Sequence, residues 1–335
     1  ALAIASATAG PADQLRADDH AKAVADVCLS ERRWELGRRN ILWRDLRSVI
    51  RDFRPNLILA EQAIKNVETW RLLLPGMSHG ARIGLWGHGR TYTVAQSAPI
   101  AAVKHWLSRR SDWFFAYTEE GASYVVDHGF PRSRVSVLQN ATDTVRLRAD
   151  LAGVRLADIH AFDSKLGLVR GRVGLFLGGI DERKGIDFLL DATERIARSM
   201  PDFKLLVGGA GALAGEVQKR QDGGAPVRYL GRVENESRAL AMACADVMLI
   251  PEWVGLVAVD SLAAGLPLVT TSHPSHAPEF AYLENGRTAL VVHHDPQTYA
   301  DAVVQLLRDH NDLLQMQARA SQVGASLTIE EMARR

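Results

Sequence analysis

Cysteine is scarce: Cys28 and Cys244 are the only two in 335 residues, far apart and in no C-x-x-C pair. That excludes a disulfide framework and a thiolate zinc site, fits a reducing compartment, and leaves both thiols expected in the core. Long apolar runs are missing as well, since no stretch reaches the roughly 18 residues a membrane span requires. Low-complexity tracts and concentrated basic stripes are absent too, and the formal net charge is only +1. A nucleic-acid partner is therefore not expected. The opening "ALAIASATAG" lacks the charged and long apolar regions of a signal peptide and begins without Met. A processed or truncated N-terminus is the expectation.

The hydrophobic content of 47% and charged content of 24% belong to a globular chain, and its length suggests two domains of roughly 150 residues. Charge divides unevenly: residues 1–165 hold 23 Lys/Arg against 18 Asp/Glu, the remainder 17 against 21. Two bodies with different surfaces are implied.

Short apolar runs alternate with helix-period stretches along the chain. "PNLILAE" (55–61), "RIGLWGHG" (82–89), "WFFAYTEE" (113–120) and "VSVLQN" (135–140) read as buried strands. After an irregular, polar stretch near 143–171 the pattern resumes with "VGLFLGG" (173–179), "FKLLVGG" (203–209), "VRYLG" (227–231), "VMLIPE" (247–252), "PLVTT" (267–271) and "ALVV" (289–292). Such alternation predicts two parallel α/β domains. In open parallel sheets ligands bind beyond the carboxyl ends of the strands, which here finish at Gly, Glu, Thr and His.

Several segments carry chemistry of their own. "PEWVGLVAVDSLAAGLPLVTT" (251–271) keeps two acids, Glu252 and Asp260, in an apolar stretch with Gly255 between them. The N–H groups of Leu256 and Val257 are expected to open a helix, and a helix N-terminus is an anion site. "GGAGALAG" (208–215) has the look of a dinucleotide fingerprint, but the next strand, "VRYLGR", lacks the acidic residue that would hold a ribose. "HH" at 293–294 invites a metal reading that the opposed faces of a strand argue against. Residues 41–54, "ILWRDLRSVIRDFR", are predicted as a basic amphipathic helix, with Leu42, Leu46, Val49 and Phe53 on one face and Arg44, Arg47, Arg51 and Arg54 on the other. Such a helix either packs on its own sheet or makes peripheral contact with an anionic membrane.

Taken in order, "FLGGIDERKG", "LLVGGAG", "VRYLGRV", "ADVMLIPEWVGLVAVDSLAAGLPLVTT", "PEFAYLENGRTALVV" and "DPQTYADAVVQLL" resemble the retaining nucleotide-sugar glycosyltransferases of family 4. The resemblance implies the GT-B fold, two Rossmann-like domains facing across a cleft. It divides the chain into an acceptor-binding domain (1–165), a donor-binding domain (166–310) and a C-terminal helical segment (311–335) crossing back to the first. By the same resemblance Glu252 approaches the transferred sugar and Asp260 the ribose, with Gly255, Leu256 and Val257 at the diphosphate. Lys184 stabilises that diphosphate, and His88, in "WGHGR", reaches the donor sugar from the first domain. Gly178, Gly179, Arg183, Gly209, Gly211, Arg232 and Val233 line the nucleotide pocket, and Glu279 positions the donor.

Two departures stand out. The family carries Arg where this chain has Gly179, and Glu where it has Asp260; Arg183 is placed to supply the missing charge. With no D-x-D triplet in the chain, no metal or other cofactor is expected beyond the nucleotide-diphospho sugar as co-substrate. The implied activity is metal-independent, retaining transfer of a sugar to a carbohydrate or lipid-linked acceptor, at a cytoplasmic or inner-membrane-face location. A sugar-nucleotide epimerase or hydrolase on the same fold, and a non-catalytic nucleotide-sugar binder, remain as alternatives.

Overall fold

The computed structural model describes residues 4–6, 27–29, 32–36, 39–63, 66–89 and 98–335. The chain divides into two compact units, 1–138 and 139–335.

In the first unit β1 (Ile4–Ser6) and β2 (Val27–Leu29) pair in parallel, and β3 (Arg32–Leu36) and β4 (Arg39–Trp43) form an antiparallel pair. Its main sheet is parallel, with β5 (Leu57–Glu61), β6 (Arg82–Gly87), β7 (Trp113–Ala116) and β8 (Val135–Val137) in sequential order. Each of these four strands is one of the apolar runs read from the sequence. Parallel neighbours need crossovers, supplied here by helices Val67–Leu72, Ala98–Ser108 and Glu119–Asp127. Leu85, Phe114 and Ala116 are completely buried, with Ile83, Val125 and Phe130 around them.

The helix predicted over 41–54 does not form as one element. Ile41, Leu42 and Trp43 lie in β4, where Trp34 stacks on Trp43 across the pair, and only Arg47–Phe53 is helical. Three consecutive β-favouring apolar residues outweigh the helical period there. Arg44 pairs with Glu68 at 2.7 Å, Arg47 pairs with Asp45 at 2.7 Å, and Phe53 is exposed. The four arginines therefore share no helical face, and the basis for a membrane-facing helix is lost.

The second unit begins with two helices, Thr144–Ala152 and Leu156–Leu166, across the stretch expected to be irregular. Asp143 caps the first by accepting the N–H of Arg146 at 2.9 Å, and Leu147 is fully buried in the second unit's core. Their outer faces are charged, which is why the segment reads as polar. The division thus falls after Leu138 and not near residue 165, because these helices pack with the C-terminal sheet and its helices.

The sheet of this unit is entirely parallel: β9 (Val173–Leu177), β10 (Lys204–Gly208), β11 (Val227–Gly231), β12 (Val247–Leu249), β13 (Leu268–Thr271) and β14 (Ala289–Val292), in the order β11-β10-β9-β12-β13-β14. Counted within the unit, that is 3-2-1-4-5-6, the doubly wound arrangement. Every residue of β9 is buried, as a central strand covered on both faces requires. Phe176, Phe203 and Tyr299 fill the core, and the Tyr299 hydroxyl donates to Val269 O at 2.8 Å. Each such side chain contributes about 1.5–3 kcal/mol of burial free energy. Cys244 is also buried, and burial pushes its thiol up to about 12. The side chain of Cys28 lies outside the described residues.

Helix Val257–Ala264 follows β12, and helix His310–Gly324 lies directly on it. A Cβ at Gly324 would collide with the Leu262 backbone, and one at Gly265 with Ser321 Oγ. Val259, Leu262, Ala320 and Leu327 make a small core of their own between the two helices.

Candidate functional site

Strand order reverses between β9 and β12, so the loops leaving these two strands, 178–185 and 250–256, border the crevice in which doubly wound sheets take ligands. Lys184 ends the short turn Glu182–Lys184, which Asp181 opens by accepting the N–H of Arg183 at 3.0 Å. The Lys184 ammonium reaches across the reversal point and donates to Trp253 O at 2.7 Å, passing within 4 Å of the place a Gly178 side chain would occupy. Trp253 holds a left-handed φ of +48°, unusual for an aromatic residue. The turn that presents its carbonyl to Lys184 is strained, as functional loops often are.

Glu252 is partly buried beside Gly185, where a Cβ would come within 2.7 Å of its carboxylate. Its Oε1 receives His294 Nε2 at 2.9 Å, and its Oε2 lies 3.8 Å from His273 Nε2. Glu252, His273 and His294 follow the ends of β12, β13 and β14, with ligand-capable atoms within 4.8 Å of one another. The sequence signal for His294 was its place in "HH", just past the end of β14, and only this second histidine joins the cluster. His273 left no signal.

Gly255 precedes helix Val257–Ala264, whose N-terminus no side chain caps. The first-turn N–H groups, with the helix dipole behind them, form a locus for an anion. Gly255 itself has an ordinary φ, and a Cβ there would meet only Ala277 at 3.6 Å and Glu279 at 4.0 Å. The protein alone does not demand glycine at this position.

Asp260 lies in the first turn of the same helix. Thr142 Oγ1 donates to its Oδ1 at 2.8 Å and Arg238 to its Oδ2 at 3.2 Å. Neither Thr142 nor Arg238 was singled out from the sequence. Glu279 is buried and accepts from Asn140 Nδ2 at 2.7 Å. The loop after β12 is further fixed by buried His276, whose Nδ1 accepts from Val254 N at 3.1 Å while its Nε2 faces Thr271 O at 2.8 Å. Burial holds the His276 pKa below the usual histidine value.

The glycines after β9 and β10 have a different reason. Ile180 N donates to Ala210 O at 2.9 Å and Leu213 N to Ile180 O at 3.0 Å, so the two loops run against each other. A Cβ at Gly209 or Gly211 would collide with Gly178 O or Ile180 O. Gly179 is exposed beside Asp181, and Arg183 pairs with Asp181 at 3.0 Å while lying over the Trp253 ring. Arg232 is exposed and pairs with Glu234, and Val233 packs against Gly208. His88 belongs to the first unit, where its ring lies 4.5 Å from Tyr117 and its carbonyl abuts Gly121.

Comparison with known proteins bears on this arrangement. Residues 171–309 match the family model for glycosyl transferases group 1. A phosphatidyl-myo-inositol mannosyltransferase of Mycobacterium leprae is 37% identical over 172 residues, which are 48% of this chain and 44% of that protein. A D-inositol 3-phosphate glycosyltransferase of Nocardia farcinica is 28% identical over 226 residues, 63% of this chain and 48% of that protein. The chain therefore spans under half the length of these curated relatives. Among solved structures, Anabaena HepE in complex with UDP has a TM-score of 0.68 at 16% identity, covering 86% of this chain and 79% of that one. Sucrose-phosphate synthase from Thermosynechococcus elongatus has a TM-score of 0.62 at 19% identity, covering 86% and 73%. The family match covers residues 171–309, and the chain that contains them has the α/β fold of the GT-B glycosyltransferases.

Proposed function

We propose that this protein is a retaining, metal-independent glycosyltransferase that moves a sugar from a nucleotide-diphospho sugar to an acceptor hydroxyl. The observation that carries the reading is the pairing of Lys184 with Trp253 O at 2.7 Å, two residues before Gly255 and the uncapped helix N-terminus. A cation and a set of helix N–H groups at one reversal point are suited to a diphosphate. Negative charge grows there as the glycosidic bond to the leaving group breaks, and fixed donors aimed at developing charge lower the barrier.

In this reading the diphosphate takes Lys184 and the N–H groups of Leu256 and Val257. Asp260, held by Thr142 and Arg238, accepts from ribose hydroxyls. Glu252 accepts from hydroxyls of the transferred sugar, and the acceptor attacks from the side the leaving group vacates, which preserves the anomeric configuration. Relatives named for transfer to inositol lipids and inositol phosphate support a carbohydrate or lipid-linked acceptor.

The test is a panel of nucleotide sugars assayed for binding and for nucleoside diphosphate release with and without acceptors. Acceptor-stimulated release with an axial-to-axial or equatorial-to-equatorial product supports the proposal. Release of an epimer, release indifferent to every acceptor, or binding without release rejects it in favour of an epimerase, a hydrolase or a binder respectively.

A further inference from the structure

Glu252, His273 and His294 have the composition of a two-histidine, one-carboxylate metal site. One contact argues for another use. The backbone N–H of Ser275 donates to Nδ1 of His273 at 3.3 Å. That nitrogen therefore presents its lone pair inward, and the ring hydrogen sits on Nε2. An Nε2 that carries hydrogen has no lone pair for a metal ion.

This Nε2–H faces Glu252 Oε2 across 3.8 Å, roughly an ångström beyond the usual N–H···O separation. A donor and an acceptor held that far apart suit a group lodged beside both that accepts from one and donates to the other. A hydroxyl does both. The other carboxylate oxygen is already engaged, since His294 Nε2 lies 2.9 Å from Oε1 with its ring 4.7 Å from that of Phe188. Both imidazoles and the carboxylate are partly open, so the gap is reachable.

Resting on the transferase reading, we propose that one hydroxyl of the transferred sugar seats between His273 and Glu252, accepting from Nε2–H and donating to Oε2. His273 is then a specificity-determining residue, and His294 is a positioning residue that fixes Oε1 so that Oε2 points at the gap. Sugars lacking that hydroxyl leave a donor and a carboxylate oxygen unpaired, and sites built to hydrogen-bond a hydroxyl discriminate strongly against its absence.

The experiment compares the nucleotide sugar turned over by the wild type with its monodeoxy analogues, measuring kcat/KM in wild type, His273→Ala, His294→Ala and His294→Gln. Wild type is expected to disfavour one analogue by about 100-fold. His273→Ala is expected to lose most of that selectivity while binding free nucleoside diphosphate within about twofold of wild type, a readout that general disruption of the loop would not spare. His294→Ala is expected to lower kcat, and His294→Gln, which retains an N–H donor, to recover part of it.

Undiminished selectivity in His273→Ala, indifference of wild type to every deoxy donor, or parallel loss of nucleoside diphosphate affinity overturns the proposal. Stoichiometric binding of Co²⁺ at micromolar concentration that disappears in His273→Ala overturns it in favour of a metal site. A wild-type chain that turns over no nucleotide sugar refutes the transferase reading and this inference with it, whereas turnover with intact selectivity in His273→Ala refutes this inference alone.

Discussion

The ammonium of Lys184 donates to the carbonyl of Trp253 at 2.7 Å, and Trp253 holds a left-handed φ to present that carbonyl. The pair keeps the positive charge beside the helix N-terminus before any ligand arrives. Lys184→Ala is expected to lower kcat by about 10²–10³-fold, the usual effect of removing one donor to developing charge, or roughly 3–4 kcal/mol. Steady-state kinetics beside a thermal melt checks this. An unchanged rate in a folded variant rejects the role.

Asp260 and Glu252 should fail in different ways. Asp260→Asn weakens its link to Arg238 and Thr142, so it is expected to cost about 1–2 kcal/mol of stability and to reduce affinity for free nucleoside diphosphate. Glu252→Gln is expected to reduce kcat with nucleoside diphosphate affinity nearly intact, since its proposed partner is the reacting sugar. Calorimetry with the free nucleoside diphosphate, run beside kinetics, separates the two. Equal losses in both variants would reverse the assignment.

The glycines give a third contrast. Gly209→Ala pushes a methyl group into the Gly178 carbonyl and is expected to destabilise the second unit by about 3 kcal/mol or more. Gly255→Ala meets no such obstacle and is expected to leave stability within about 0.5 kcal/mol of wild type while weakening nucleotide affinity. Denaturant titration and calorimetry decide it. Unchanged nucleotide binding in Gly255→Ala would show that no ligand approaches that backbone.

Acid should loosen both units through histidines buried in neutral form. Burial, with the neighbouring His128, Lys104 and Arg109, lowers the His105 pKa to about 4, and burial lowers that of His276. As pH falls below about 6.5 the unfolded chain takes up protons that the folded chain refuses, so stability decreases on acidification. For His105 this loss continues down to about pH 4 and then levels off. Thermal melts from pH 7.5 to 4.5 should show a falling Tm, with a shallower slope in the His105→Asn, His276→Asn double variant. Parallel slopes would exclude these two groups as the source.

Chelation should leave turnover intact, because Lys184 and helix N–H groups are proposed to balance the diphosphate. Loss of activity in EDTA with rescue by Mg²⁺ or Mn²⁺ would contradict that.

Much of the second unit was legible because central parallel strands are nearly continuous apolar runs; "VGLFL" is buried at every position. The strand ends were legible through the Gly and polar residues that close those runs, whereas the order of the strands, and so the reversal point, was not. The helical reading of 41–54 failed because its period was counted across Trp43, where a strand ends, and the pairing of Ile41 with Trp34 is not visible in a one-dimensional pattern. Residues 143–171 were misread because two helices with charged outer faces look like a linker until their few inward positions, such as Leu147, are known. His273, Thr142 and Arg238 were missed because each acts through a partner distant in sequence: Glu252 for the first, Asp260 for the other two.

The glycine-mediated seat of helix His310–Gly324 has a practical consequence. The family match ends at residue 309, which suggests a convenient place to cut out a minimal nucleotide-binding fragment. Such a fragment would strip Ala320 and Leu327 from Val259 and Leu262 and expose the far side of helix Val257–Ala264, whose near end is the proposed diphosphate site. Expression of 139–309 would then yield a protein prone to self-association, whereas 139–335 keeps that apolar face covered. The last 26 residues act as a built-in splint for helix Val257–Ala264, and anyone excising this unit for screening or crystallisation needs to carry them along.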